Sequence, residues 1–285
     1  MDRVVSRAKA PGGRPSKPKE EFIETAIRKL YPYLQRWRNP LPLSVNGRSA
    51  RLHHGGQKDH FYAAYQCFYR NQYEVPSPLF SAAVHTDAVE ARYQGLVRRG
   101  VQPLIVDCGA NIGASVLWFM NRYPAARVIA VEPAAANLVL LRQNVAGLDV
   151  AIVAGGVGAA DGILRLDGNS KAPLSFRVIE GGAGHEVELF SLASVLEYAG
   201  DAEPFILKVD IEGGEQALFS SDPAIIARFP VIILEPHDFC MPGKGVSQPF
   251  LSFHAAQGRD FLFANENIFS IDYEALIAKG SSDPG

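Results

Sequence analysis

Apolar residues in this chain gather into short unbroken runs, set between stretches where they recur every three or four positions. Leu104–Val106, Val128–Val131, Ala151–Ala154, Phe205–Val209 and Val231–Leu234 show little or no polar alternation. That is the pattern of strands buried on both faces of a parallel sheet. Val116, Leu117 and Met120 follow the first run at helical spacing, and Leu138, Leu141 and Val145 follow the second. Helices are also predicted over Asp87–Val97, Ser191–Tyr198 and Pro249–Gln257. Strands that alternate with helices predict an α/β protein with a doubly wound sheet.

Two stretches break the alternation. Ile163–Leu166, Phe176–Ile179 and Glu186–Phe190 are strand-like pieces separated by DGNSKAP and EGGAGH, which predicts an antiparallel insertion in the parallel sheet. Phe261–Phe263 and Ile268–Ile271, joined by ANEN, predict a closing hairpin.

The first hundred residues read differently. Residues 1–20 carry Arg3, Arg7, Lys9, Arg14, Lys17 and Lys19 with no apolar periodicity, the pattern of a solvated, disordered basic tail. A helix is predicted from Glu21, with Ile23, Ile27 and Leu30 along one face and Pro32 ending it. Phe61, Tyr62, Tyr65, Phe68, Tyr69 and Tyr73 stand at mixed spacing and suit core packing better than stacking on a ligand. The predicted organisation is a basic tail (1–20), a mainly helical N-terminal subdomain (21–100), a nucleoside-binding domain (101–275) and a flexible C-terminus (276–285).

Composition narrows the classes. With 285 residues, 47% hydrophobic, 20% charged and a net charge of −2, the chain has no electrostatic footprint for nucleic acid or an acidic membrane surface. No apolar run reaches the roughly 18 residues of a spanning helix, and no signal peptide is expected. Cys67, Cys108 and Cys240 are odd in number and widely spaced. They predict reduced thiols in a cytoplasmic protein rather than a disulfide framework or a zinc site. His53, His54 and His60 lack cysteines or carboxylates at ligand spacing and predict no metal centre.

The candidate chemistry begins at Asp107-Cys108-Gly109-Ala110-Asn111-Ile112-Gly113, between a buried strand and a helix. Glu132 ends the next strand, 19 positions after Gly113. At about that spacing a nucleotide-binding βαβ unit places a carboxylate on the ribose hydroxyls. A dinucleotide fold wants G-x-G-x-x-G for its pyrophosphate, and Ala110 stands where the second glycine would be. S-adenosylmethionine (SAM) has no phosphates and tolerates that change. Asp210 and Glu212 follow the fourth strand; Glu235, His237 and Asp238 follow the fifth. Such acidic strand ends suit a cationic sulfonium and repel a polyphosphate. Glu212 and Glu215 also have the ordinary reading of helix-capping carboxylates.

VDCGANIG, the VEP of Val131–Pro133, the KVDIEGGE of Lys208–Glu215 and the ILEPHDF of Ile233–Phe239 together resemble the FkbM family of SAM-dependent methyltransferases. The resemblance runs from about Val101 to Ile271. It implies a class I, Rossmann-like fold, a seven-stranded sheet whose last strand is inserted antiparallel. It also implies methyl transfer to a hydroxyl oxygen of a polyketide, sugar or other secondary metabolite. Asp107, Gly109, Asn111, Gly113 and Glu132 are the expected SAM contacts. His237, with an unperturbed pKa near neutrality, is the first candidate for the base that takes the hydroxyl proton. Asp210 is the second, as base or as an orienting group, and Lys208 is expected to be structural.

Some class I O-methyltransferases hold magnesium with carboxylates after strands four and five, and Asp210, Glu235 and Asp238 stand at such ends. Pro236 and His237 interrupt the pair and the resemblance implies no metal, so a metal-free site is expected. The expected partner is a small hydroxyl-bearing acceptor, with no nucleic acid and no membrane; a homodimer is left open. An NAD(P)-dependent oxidoreductase would share strand, loop and helix, although Ala110 and the acidic strand ends count against it. A non-catalytic nucleoside-binding module also stays open.

Overall fold

In the computed structural model five strands run parallel through the centre of the protein: β3 (Pro103–Cys108), β4 (Arg127–Glu132), β5 (Val150–Ala154), β9 (Glu203–Val209) and β10 (Val231–Leu234). The structure describes residues 39–77, 83–167 and 184–278, all within one compact unit, Asn39–Gly285. The predicted basic tail 1–20, the helix from Glu21, the strand Phe176–Ile179 and residues 279–285 of the predicted flexible C-terminus lie outside the described residues.

The seven-stranded sheet has the order β11-β12-β10-β9-β3-β4-β5, where β11 is Asp260–Ala264 and β12 is Asn267–Ile271. The closing hairpin places β12 antiparallel between β10 and β11. This is the class I methyltransferase architecture. Burial explains the missing polar alternation. Ile105 belongs to the apolar cluster on one face of the sheet, whereas Leu104, Val106 and Cys108 belong to the cluster on the other.

From β3 the chain winds one way through α3 (Ala114–Arg122), β4, α4 (Ala135–Asn144) and β5. It then crosses back to β9 on the other side of β3. The strand order reverses between β3 and β9, so a crevice opens at the C-terminal ends of those two strands, where doubly wound sheets take their ligands.

Within the span predicted as a mainly helical subdomain, a hairpin precedes two helices. It pairs β1 (Leu41–Val45) with β2 (Arg48–Leu52) around Asn46-Gly47. Both turn residues have positive φ, 54° and 70°, the conformation that Asn-Gly turns supply. α1 (Lys58–Phe68) and α2 (Val84–Arg98) follow. Val45, Leu52, Ala64, Tyr73 and Leu96 join the apolar cluster that contains Ile105, Trp118 and Phe119, so this segment shares a core with the sheet.

The predicted insertion is a sheet of its own. β6 (Gly156–Gly158) lies parallel to β8 (Gly184–Ser191), and β7 (Gly162–Asp167) lies antiparallel to β8. The separation starts at Gly155, where a Cβ would meet the Glu188 carbonyl at 2.5 Å. Only glycine lets the chain pass that close. The predicted helix over Ser191–Tyr198 is α5 (Leu192–Leu196) plus a 3-10 turn, Glu197–Ala199, and Ser191 caps it by accepting from the Ser194 N–H. Short α6 (Glu215–Phe219) and α7 (Pro223–Ile226) follow β9; α8 (Gln248–Ala256) precedes the closing hairpin, and α9 (Tyr273–Ala278) comes after it. Among the described residues no helix is long and apolar enough to cross a membrane.

Candidate active site

The loop after β3 is shaped by close approach of backbone to backbone. Gly109 has φ 88°, and a Cβ there would overlap the backbone carbonyl oxygen of Asp210 at the end of β9. The glycine is therefore required by the fold as well as by any ligand. The Gly109 and Ala110 N–H groups both donate to the Val131 carbonyl at 3.0 Å, tying the loop to β4. Asn111 has φ 49°, and its Oδ1 is buried without a hydrogen-bond partner among the described residues.

Glu132 braces the same loop. Its carboxylate accepts from the Asn111 N–H at 2.9 Å, the Ala134 N–H at 2.8 Å and the Asn137 amide at 3.1 Å. Burial raises its pKa against the pull of those three bonds. Gly113 stands on the far side, at the N-terminus of α3 with φ 86°. A Cβ on Gly113 would meet Leu141 at 2.7 Å, so this glycine serves the packing of α3 on α4.

Two cavities meet over this loop. The larger, about 400 Å³, is walled by Gly109, Asn111 and Glu132 on one side and by Val157, Leu164 and Leu189 of the small sheet on another. The smaller, about 180 Å³, is lined by α1 and the residues after it together with Lys208, Glu235 and His237. Gly109, Asn111, Asp210 and Glu212 line both. A carboxylate at ribose distance along the chain, a buried amide oxygen with no partner and an apolar slot fit the adenosine and amino-acid ends of SAM.

The strand-end charges form one network. Lys208 and Asp107 are neighbours in the β3–β9 pairing, and their side chains meet at 2.9 Å, 2% and 0% exposed. Lys208 Nζ also donates to the Gly109 carbonyl at 2.7 Å and lies 3.5 Å from Asp210. Ser115 donates its hydroxyl to Asp107. Asp107 and Gly113, predicted among the SAM contacts, line neither cavity; Asp107 holds Lys208 and Gly113 holds a helix. Gly109, Asn111 and Glu132 line the larger one.

His237 differs from its sequence expectation. Its Nδ1 lies 2.7 Å from Glu215, a carboxylate that is fully buried, and its Nε2 lies 3.6 Å from Asp210. Burial alone would lower its pKa, but the Glu215 bond and the charges of Glu215, Asp210 and Glu235 outweigh burial and raise it to about 9. At neutral pH the ring is an imidazolium and has no lone pair to take a proton, so it is not the near-neutral base expected. Burial and the charge of Asp210 push Glu212 up to about 7 and Glu235 up to about 8.

The acidic set Asp210, Glu235 and Asp238 is not assembled, because Asp238 turns away to accept from the Ser247 N–H and hydroxyl. Asp210, Glu235 and His237 do converge, their ligand atoms within 4.8 Å of one another. Three features escaped the sequence. Glu215 anchors the histidine; the run Gly155–Ala160 forms a cavity wall; Gln72 and Tyr73 reach the smaller cavity. A glycine-rich run after a strand was a usable signal for the second. Nothing local announces the other two.

A family model described as the methyltransferase FkbM domain matches residues 107–263. Methyltransferase sdnD of Sordaria araneosa is 34% identical over 149 residues, covering 40% of this chain and 58% of that relative. The chain thus spans 58% of the length of the curated relative it matches. Fibrillarin from Aeropyrum pernix, solved with natively bound SAM, is similar at 11% identity over 82% of each chain, with a TM-score of 0.40. Methyltransferase PaMTH1 from Podospora anserina, solved with S-adenosylhomocysteine, is similar at 10% identity over 92% of this chain and 98% of its own, with a TM-score of 0.36.

Proposed function

The chain belongs to the FkbM methyltransferase family, whose methyl donor is SAM, and on that premise we propose that it transfers the methyl group to a hydroxyl oxygen of a small molecule. The single observation that carries this reading is Asp210, which stands on the wall shared by the two cavities. A donor bound in the larger cavity and an acceptor in the smaller one would meet at that carboxylate.

SAM supplies a methyl on a sulfonium, which an acceptor oxygen takes as the carbon–sulfur bond breaks and its electron pair stays on sulfur. Glu132 would hold the ribose hydroxyls, and Asn111 would face the amino-acid end. Asp210 takes the proton that the hydroxyl loses or orients that hydroxyl, since a neutral alcohol is a poor nucleophile. Lys208 and His237 flank Asp210 at 3.5 and 3.6 Å and fix the direction in which its carboxylate points. His237 therefore acts here as a positioning residue, in place of the base role predicted from sequence. Positioning of the two reactants supplies much of the acceleration.

The proposed acceptor is a hydroxylated metabolite such as a sugar or polyketide, the proposed compartment is the cytoplasm, and no metal is required. Three unpaired cysteines, Cys67, Cys108 and Cys240, support the compartment. Transfer of tritium from methyl-labelled SAM to a panel of small hydroxyl compounds tests the reaction, alongside binding of SAM and NADH. Asp210→Asn should retain SAM binding and lose roughly 10²- to 10⁴-fold in turnover. Tighter binding of NADH than of SAM, or full turnover in Asp210→Asn, would overturn the reading.

A further inference from the structure

The smaller cavity carries unused hydrogen-bonding capacity. Gln72 and Tyr73 line it and are 5% and 4% exposed. Neither the Gln72 side-chain amide nor the Tyr73 hydroxyl meets a hydrogen-bond partner among the described residues. Burial holds the Tyr73 hydroxyl protonated, its pKa raised well above the usual value. The polar ends of both side chains are open to the cavity instead of sealed in the core, so a bound molecule can reach them. Glu235 on the same wall likewise has no side-chain hydrogen bond among the described residues.

The wall is also short of positive charge. Asp59, Asp210, Glu212 and Glu235 line it against Lys208 and His237. Each of those cations is already engaged by a carboxylate outside the cavity, Lys208 by Asp107 and His237 by Glu215. A bound methyl donor brings a sulfonium, an ammonium and a carboxylate, a net charge of +1, which leaves the wall acidic. Burial and the charge of Asp210 raise Glu212 to about 7 and Glu235 to about 8, so near neutrality the site holds protons in place of a missing cation.

We propose that the smaller cavity is the acceptor subsite and that it selects a compact polyhydroxylated molecule bearing an ammonium group, an amino-sugar-like acceptor. The proposal rests on the methyl-transfer reading above. Gln72 and Tyr73 hydrogen-bond hydroxyls, and the carboxylates of Glu235 and Asp59 receive the ammonium. Acceptors carrying a phosphate or carboxylate are repelled by the same wall. A volume of about 180 Å³ admits one ring rather than an extended chain.

Three probes of equal ring size separate charge from shape: glucosamine, glucose and glucuronate. Each is titrated calorimetrically into the full chain saturated with S-adenosylhomocysteine, and each is offered as acceptor with labelled SAM. Glucosamine should bind about ten-fold or more tightly than glucose, the difference expected of one charge-assisted contact, and glucuronate more weakly still. Asp59→Asn, at an exposed position, and the isosteric Glu235→Gln should each reduce the preference several-fold without changing affinity for S-adenosylhomocysteine. Equal or tighter binding of glucose or glucuronate, or no binding of glucosamine, overturns the charge selection. Failure of S-adenosylhomocysteine itself to bind would instead overturn the methyl-transfer reading.

Discussion

His237 and Glu215 lie 22 residues apart in the chain and meet at 2.7 Å, one nearly and the other fully buried. Each explains the other: an isolated buried carboxylate would be costly, and an isolated buried imidazole would be neutral. The pair makes stability depend on pH. A group whose pKa rises on folding contributes stability that is complete below its unfolded value and lost as pH climbs through its folded value. For His237 that window runs from 6.5 to about 9. Glu212 and Glu235, raised from 4.5 to about 7 and about 8, add losses of the same sign over a lower range. Denaturant unfolding at pH 5, 7 and 9 should therefore show a steady fall, with His237 contributing on the order of 2 to 3 kcal/mol. His237→Gln should flatten the limb above pH 6.5, and an unchanged slope there would refute the assignment.

Lys208→Met removes the cation that Asp107 faces inside the sheet. The expected cost is about 3 to 5 kcal/mol, because the carboxylate is left buried without its charge partner. Asp107→Asn combined with Lys208→Met should recover part of that loss. A thermal melt decides it: a Lys208→Met protein as stable as the parent would show that the pair is not needed.

Glu132→Gln keeps the shape of the side chain and takes away its charge. Affinity for SAM should fall by one to two orders of magnitude, roughly the loss of charge-assisted bonds to the ribose. Because Glu132 also braces Asn111, Ala134 and Asn137, the melting temperature must be followed in parallel. An unchanged dissociation constant in the folded variant would remove Glu132 from the donor site.

Gly109→Ala puts a methyl group onto the Asp210 carbonyl and forces a side chain into the left-handed region. Stability and SAM binding should fall together, the former by more than about 2 kcal/mol. A stable variant that loses only binding would mean the glycine serves the ligand alone.

Chelation tests whether the group formed by Asp210, Glu235 and His237 holds a cation. With an imidazolium already in the group, turnover after exhaustive chelation should remain within about two-fold of the untreated protein. A loss that magnesium alone restores would make Asp210 a ligand.

The sequence by itself determined the sheet strands, the glycine loop and the family. Each rests on local patterns: runs such as Val231–Leu234 coincide with a strand to the residue, and Asp107–Gly113 sits where strand turns to helix. Burial on both faces writes itself into the sequence as unbroken hydrophobicity, so such strands are legible without a fold. The hairpin Leu41–Leu52 was missed, its apolar positions being too few to stand out from a polar loop. The small separate sheet was read as part of the large one, because strand period says nothing about which neighbour a strand pairs with.

Only the tertiary structure decided what the polar residues do. Asp107, expected among the ligand contacts, pairs with Lys208, a residue 101 positions away that only strand pairing brings beside it. His237 read as a near-neutral base because its pKa in isolation is near neutrality; three carboxylates, one from its own strand end, one from the end of β9 and one from a helix, hold it protonated. Tyr73 looked like core until the fold laid it, together with Gln72, on a cavity beside the end of β9. Hydrophobic period is a property of neighbours along the chain, whereas charge state is a property of neighbours in space. The first can be read in one dimension; the second exists only after the strands have met.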